Sequence, residues 1–378
     1  MRNQIAAIPV IDHHAHALMR LPQRLTPARF AAFFSEGGDA AIRREHVQNN
    51  LFFRRTLHDL ARLLDCAATP EAVLAARAAM PLDEYARRLV QDANIDAFLL
   101  DYYFQSDDNY SVAEMAGLTG AAVYSVLRLE TVLEELLAVH DSLDALLDAF
   151  ARRIQEAARE GVVALKSIVA YRTGLRIGDP DRDQAEAHYL VLHEQAARQG
   201  GIRLTDKLFI DFCLRQALEW AGDLQLPVQF HTGFGDPDLD MREVNPLHMR
   251  PLLEDERYQK TQFVLLHASY PYVRELGYLA SVYGHVYADV SLAIPFAVSD
   301  FTAIWREILA LAPFSKILYA SDGFSIPEHY WTGAHWARES LTHVLGELID
   351  LGALDQEEAV EAARAILCEN ARNLYRLP

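Results

Sequence analysis

The chain has 378 residues, 51% of them hydrophobic and 23% charged, which gives material for a large core and argues against disorder. Lys and Arg number 35 against 53 Asp and Glu, for a formal charge of −18; such a surface repels phosphate backbones and anionic lipid, so the expected partner is a small molecule, with no nucleic acid and no membrane. Three scattered cysteines, Cys66, Cys213 and Cys368, form no CxxC pair, which speaks against a disulfide framework or a thiolate zinc site and fits a reducing cytoplasm.

In chain order, Met1 to Pro9 carries no long apolar stretch, and no run reaches about 18 apolar residues, so neither secretion nor membrane spanning is expected. Val10-Ile11 then leads into Asp12-His13-His14-Ala15-His16. Further β-rich runs follow at Ile95 to Leu100, Ala122 to Leu127, Val162 to Val169, Pro227 to Phe230, Thr261 to Leu266, Val286 to Val290 and Lys316 to Ala320. Helical patterns separate many of them, as in Leu133 to Glu160, and Gln356 to Arg376 reads as a closing helix. Alternating β and α units with nearly continuous apolar strands imply a parallel sheet covered on both faces. Eight such units predict an α/β fold of the (β/α)8 TIM-barrel kind. One connection, 17–94, is too long for a loop and holds helical patterns at Leu51 to Leu64 and Leu82 to Ala93. It is expected to form a helical cap inserted after strand 1, within one domain spanning 1–378; a separate small domain is the alternative.

The chemistry-bearing residues fall at predicted strand ends. Side chains two apart on a strand share a face, so His14 and His16 can both aim into the barrel mouth as half of a metal site. Alone, an HxH pair is a weak signal and reads more readily as solvated loop histidines. His231 follows Leu226 to Phe230, His267 follows Phe263 to Leu266, and Asp322 follows Ile317 to Ser321. Each is a metal-competent side chain at a strand's C-terminal end, where barrel enzymes place catalytic groups. His13, His188, His193, His248 and His285 lack such support and read as surface or capping residues. Of the histidines after strand 8, only His329 lies near Asp322 in sequence.

The segments Val10 to His16, Gln229 to Asp236, Leu266 to Pro271 and Tyr319 to Gly323 resemble the amidohydrolase superfamily, in its amidohydrolase-2 branch. The likeness extends to the amidohydrolase half of fungal and plant proteins fused to a glutamine-synthetase-like domain; no such second domain is expected before Pro378. The resemblance implies that His14, His16 and Asp322 bind the more buried metal. His231 and His267 would bind a second metal or, with a single metal, supply a ligand and a transition-state contact. Lys166, inside the apolar fourth strand, would be carboxylated and bridge two metals. The alternative for Lys166 is an ammonium that reaches solvent or pairs with a carboxylate.

Zinc, as one ion or two, is the expected cofactor, with Mn2+ or Fe2+ equally compatible with His and carboxylate ligands. It would make water nucleophilic at neutral pH, with Asp322 taking up the proton, which predicts hydrolysis of an amide or related C–N bond. Arg128 and Arg172 could clamp a substrate carboxylate; the competing role for Arg128 is a structural ion pair, for instance with Glu130. Tyr103 and Tyr270 are candidate pocket residues. Two rival readings stand beside hydrolysis, a one-metal decarboxylase or lyase on the same fold and a regulatory barrel without turnover. By analogy with other barrels, the chain could form a homodimer.

Overall fold

The computed structural model describes residues 1–102 and 108–378. Eight parallel strands, β1 (Val10–Ala15), β2 (Ile95–Asp101), β3 (Ala122–Arg128), β4 (Val162–Ser167), β5 (Val228–Phe230), β6 (Phe263–Leu265), β7 (Val286–Asp289) and β8 (Ile317–Leu318), pair in sequence order. Backbone bonds from Asp322 N to His14 O (3.0 Å) and from His16 N to Gly323 O (2.8 Å) join the end of β8 to the end of β1. The sheet is thus a nearly closed TIM barrel. Several strands are shorter than the sequence suggests. The fourth ends at Ser167 because Val169–Arg172 turns helical, and the eighth keeps only two residues.

Helices between the strands bury one apolar stripe each. In Leu143–Arg159 the buried residues Leu143, Leu146, Phe150, Ile154 and Ala157 recur at three- and four-residue spacing, the pattern that places one helix face on a sheet. Ser142 caps this helix by accepting from Ala145 N at 3.2 Å. The continuous pattern from Leu133 to Glu160 is broken in the fold: one helix ends at Leu137 and the next begins at Leu143, where the Ser142 cap starts it. The closing segment also divides, into Gln356–Arg364, a π-turn at Ala365–Glu369 and Asn370–Leu374.

The long β1–β2 connection carries helices Leu51–Leu64, Pro70–Ala78 and Leu82–Asp92. Its anchor is aromatic. Phe34 packs on Phe30, Phe52 and Phe53 with ring centroids 4.8–5.3 Å apart, and Phe52 reaches Phe296 at 4.8 Å and Trp336 at 5.7 Å. Each buried aromatic of this kind contributes about 1.5–3 kcal/mol by leaving water. A buried ion pair, Arg77 Nε to Glu328 Oε1 at 2.8 Å, adds a polar fix. These contacts hold the stretch around residues 29–43 over the strand ends. Among the described residues, no helix is long and apolar enough to cross a membrane.

Candidate metal centre

Parallel pairing aligns Arg128 with Lys166 and Lys166 with Gln229 across β3, β4 and β5, so three polar side chains stand in one row at the barrel's C-terminal end. The ends of β1, β6 and β8 close the ring with His14, His16, His267 and Asp322. Gly235 lies beside His231: a Cβ at this position would stand 2.7 Å from the imidazole. Gly233, at φ +70°, likewise approaches the Tyr270 backbone, where a Cβ would stand 2.6 Å from the amide nitrogen. The glycine-rich stretch after β5 is therefore a close-packed turn under His231.

All six candidate ligands, His14, His16, Lys166, His231, His267 and Asp322, line one cavity of about 510 Å³, together with Arg128 and Arg172. The ligand atoms of His14, His16 and Asp322 lie within 4.8 Å of one another. Partners fix the tautomer of three imidazoles. His14 Nδ1 donates to Gln229 Oε1 at 2.9 Å, and His16 Nδ1 donates to the Asp101 carbonyl at 3.1 Å. His267 Nδ1 donates to Ser291 Oγ at 2.9 Å, because that hydroxyl gives its own proton to Asp289. Nε2 of His14 and Nε2 of His16 stand 3.2 and 3.4 Å from Asp322 Oδ1, a spacing that fits a cation held among the three.

The electrostatics agree. Burial, helped by the Lys166 cation, pushes His14 down to about 4, and burial drives His231 and His267 well below their ordinary value. These imidazoles are neutral at pH 7, the form that ligates. Burial alone would raise Asp322, but His267, His14 and His16 outweigh it and hold the carboxyl well below its usual range. His231 Nε2 is buried with no hydrogen-bond partner among the described residues. A carboxylate, neutral imidazoles and an orphaned nitrogen form a donor set that fits a divalent cation. Lys166 Nζ lies 3.2 Å from His14 Nε2, and burial pushes its ammonium down to about 8.

Several expectations need correction. Arg128 is paired, but with Asp101 (3.0 and 2.6 Å) and not with Glu130, which instead accepts from Ser167 and from Ile168 N. Arg172 pairs with Glu134 at 3.1 Å while still facing the cavity. Tyr270 does not line the cavity; its hydroxyl donates to Asp300 at 2.9 Å. Tyr103 lies outside the described residues. His13 is not a surface residue: it is fully buried and bonded to Asp289 Oδ2 at 2.9 Å, with Tyr375 OH 3.0 Å from its other nitrogen. His285 is buried as well. His329 packs among Phe34, Phe52 and Phe324 and belongs to the cap's aromatic anchor.

Residues the sequence reading missed divide by signal. Gln229 and Asp289 are polar positions inside apolar strands, and that contrast could have flagged them. Glu36, Arg29 and Arg43, from the β1–β2 connection, and Tyr171 and Arg203 also line the cavity, and nothing in their local sequence marks them.

Comparison with known proteins supports the same picture. A protein of Lactobacillus casei ATCC 334 described as a candidate metal-dependent hydrolase superposes with a TM-score of 0.89 at 30% identity, covering 99% of this chain and 97% of that one. The uronate isomerase of Thermotoga maritima shares the fold, with a TM-score of 0.70 at 15% identity over 99% of this chain and 96% of that one. Protein FluG of Emericella nidulans is 30% identical over 410 residues, covering 100% of this chain and 47% of the relative. The chain therefore spans about half the length of the curated relative it matches. The family model described as amidohydrolase matches residues 137–377. The chain belongs to the amidohydrolase family and has the fold of its metal-dependent enzymes.

Proposed function

We propose that this enzyme hydrolyses an amide or related C–N bond in a small, carboxylate-bearing molecule, using one or two divalent cations, zinc foremost. The observation that carries this reading is the convergence of His14 Nε2 and His16 Nε2 on Asp322 Oδ1, at 3.2 and 3.4 Å. His14, His16 and Asp322 would hold the cation, with His231 and His267 as the further nitrogen ligands. Zinc in such a site supplies a Lewis acid and a water made nucleophilic at neutral pH. Asp322, held ionised, accepts the proton of the attacking water and delivers it to the leaving nitrogen. His267, oriented by Ser291 and Asp289, would present its Nε2 lone pair as a ligand to a second cation. Arg172 lines the cavity and would orient the substrate carboxylate, with the cavity-lining Arg128 and Arg203 adding positive charge around it.

Lys166 would serve as a ligand in the form of a carbamate. A buried ammonium beside His14 would repel a dication, whereas the neutral amine, favoured by the depressed ammonium, would add carbon dioxide at Nζ, release one proton to solvent and leave an anionic carboxyl group to hold metal. A second reading, a one-metal lyase that decarboxylates its substrate, draws on the extent of the same cluster: among the described residues, His14, His16 and Asp322 form it without His231 or His267.

The test is a broad amide panel with the zinc-loaded chain, following amine, carboxylate and carbon dioxide release beside Asp322→Asn. Amine and carboxylate release abolished in the variant is the expected result. Absence of both from the wild type overturns hydrolysis, and carbon dioxide release with one metal per chain supports the lyase.

A further inference from the structure

The cavity holds two buried polar atoms of opposite hydrogen-bonding sense, an acceptor and a donor, that the described residues leave unpartnered. One is Oε1 of Glu36, in the β1–β2 connection; the other is Nε of Arg172, just beyond β4. The Arg172 side chain is only 9% exposed, and its Nη2 is taken by Glu134. The neighbouring arginines are engaged elsewhere: Arg128 is bonded to Asp101 through Nε and Nη2, and Arg203 reaches Asp238 and the Tyr171 carbonyl. Arg172 Nε is thus a donor that lacks an acceptor, in a site lined by further cations.

Glu36 stands in the opposite situation. Its Oε1 is a buried acceptor with no hydrogen-bond partner among the described residues, and the exposed Asp236 lines the same cavity. Burial and the negative charges of Asp236 and Asp322 hold the Glu36 carboxyl well above its usual range, while Arg43 gives its Nε to the Gly37 carbonyl at 2.7 Å. An ammonium would bring this acidic pair both a donor and a positive charge. Buried polar atoms are ordinarily paired, and one orphan acceptor and one orphan donor in the same cavity point to a ligand that brings both complements.

Building on the hydrolase reading above, we propose that the substrate is a zwitterion, its ammonium docked on Glu36 and Asp236 and its carboxylate on Arg172, with the scissile bond against the His14–His16–Asp322 cluster. A plain carboxylate would satisfy Arg172 and leave Glu36 bare. A plain amine would do the reverse. The cap segment, through Glu36, then selects for the charge that the barrel's arginines cannot recognise.

The experiment is calorimetric binding to the zinc-loaded full chain of a series of ω-amino acids, glycine through 6-aminohexanoate. Each is measured beside the carboxylate and the amine of the same chain length. At least one amino acid should bind about tenfold or more tightly than both counterparts, the size expected of a hydrogen bond to a charged group. Glu36→Gln should erase the gain over the carboxylate alone, and Arg172→Met the gain over the amine alone. Asp236→Asn provides a second acidic variant should Glu36→Gln fold poorly, with zinc content of each variant confirming an intact barrel. If no amino acid in the series exceeds both counterparts, or if the preference survives both acidic substitutions, the proposal is overturned. Binding needs no turnover, so a preserved preference without amide cleavage would sink the hydrolase reading alone. Cleavage without the preference would sink the zwitterion alone.

Discussion

The floor and the roof of the cavity are held by different kinds of contact. At the floor, each of His14, His16 and His267 is fixed by a hydrogen bond from its far nitrogen, to Gln229, the Asp101 carbonyl and Ser291. Strand pairing sets the spacing of Lys166 and Gln229. In the roof, Glu36, Arg29 and Arg43 depend on an aromatic cluster around Phe34 and Phe52, and Arg29 and Arg43 are exposed. A floor built on backbone pairing and buried hydrogen bonds can hold several ligands at short mutual distances. A roof built on ring packing can change its polar tips without disturbing the floor. On the proposed function, reaction chemistry would belong to the first, and the second would add Glu36 to the choice of substrate.

The comparison is tested most severely at the floor. Asp322→Asn should lower kcat by about 10³-fold while the chain stays folded, since it removes both a ligand charge and the proton acceptor; steady-state rates beside circular dichroism check this. A smaller effect is expected one layer out. Gln229→Leu frees His14 to rotate, and metal affinity should fall about 10–100-fold, read by competition with a chelator. If Gln229→Leu binds metal normally, the orientation argument fails.

The roof should respond in stability before chemistry. Phe34→Ala should cost about 3–5 kcal/mol and lower Tm, while the zinc stoichiometry of the folded fraction stays that of the wild type. Loss of zinc there would mean that floor and roof are not separable. Arg29→Ala, at an exposed tip, should shift KM by no more than about fivefold and leave both metal content and Tm unchanged.

Acid sharpens the contrast, because the imidazoles of His14, His231 and His267 are buried at the floor. His14 is held at about 4, below the ordinary 6.5. As pH falls through 6.5 the unfolded chain takes up a proton that the folded chain refuses until about 4, so His14 costs stability across that interval. Asp12, pushed up to about 7 by burial, works in the opposite direction over much of the same range. The comparison with His14→Asn isolates the histidine: metal-free wild type should lose Tm between pH 7 and 4.5 more steeply than the variant.

Legibility in the sequence followed the same division. The barrel was readable because apolar runs alternate with helical patterns, and the meeting of His14, His16, His231, His267 and Asp322 in one cavity was readable because each sits where such a run stops. His13 was misread since its neighbours in sequence say nothing of Asp289, 276 positions away, which receives its proton. Arg128 was matched to Glu130, two residues on, because the strand register that brings Asp101 alongside is a tertiary fact. Glu36 left no trace at all. It lies in an irregular stretch whose position is decided by the aromatic anchor, and a lone glutamate there looks like any solvated charge.

The most direct test of the account is the metal content per chain, with intact mass alongside, for protein purified without chelator and then for His14→Ala and Lys166→Ala. The account predicts two metals per wild-type chain and the mass gain of one carboxyl group on Lys166. It predicts loss of tight binding in His14→Ala, and loss of the mass gain and of one metal in Lys166→Ala. A wild-type chain that stays metal-free in excess zinc, or a His14→Ala chain that keeps full occupancy, would contradict it.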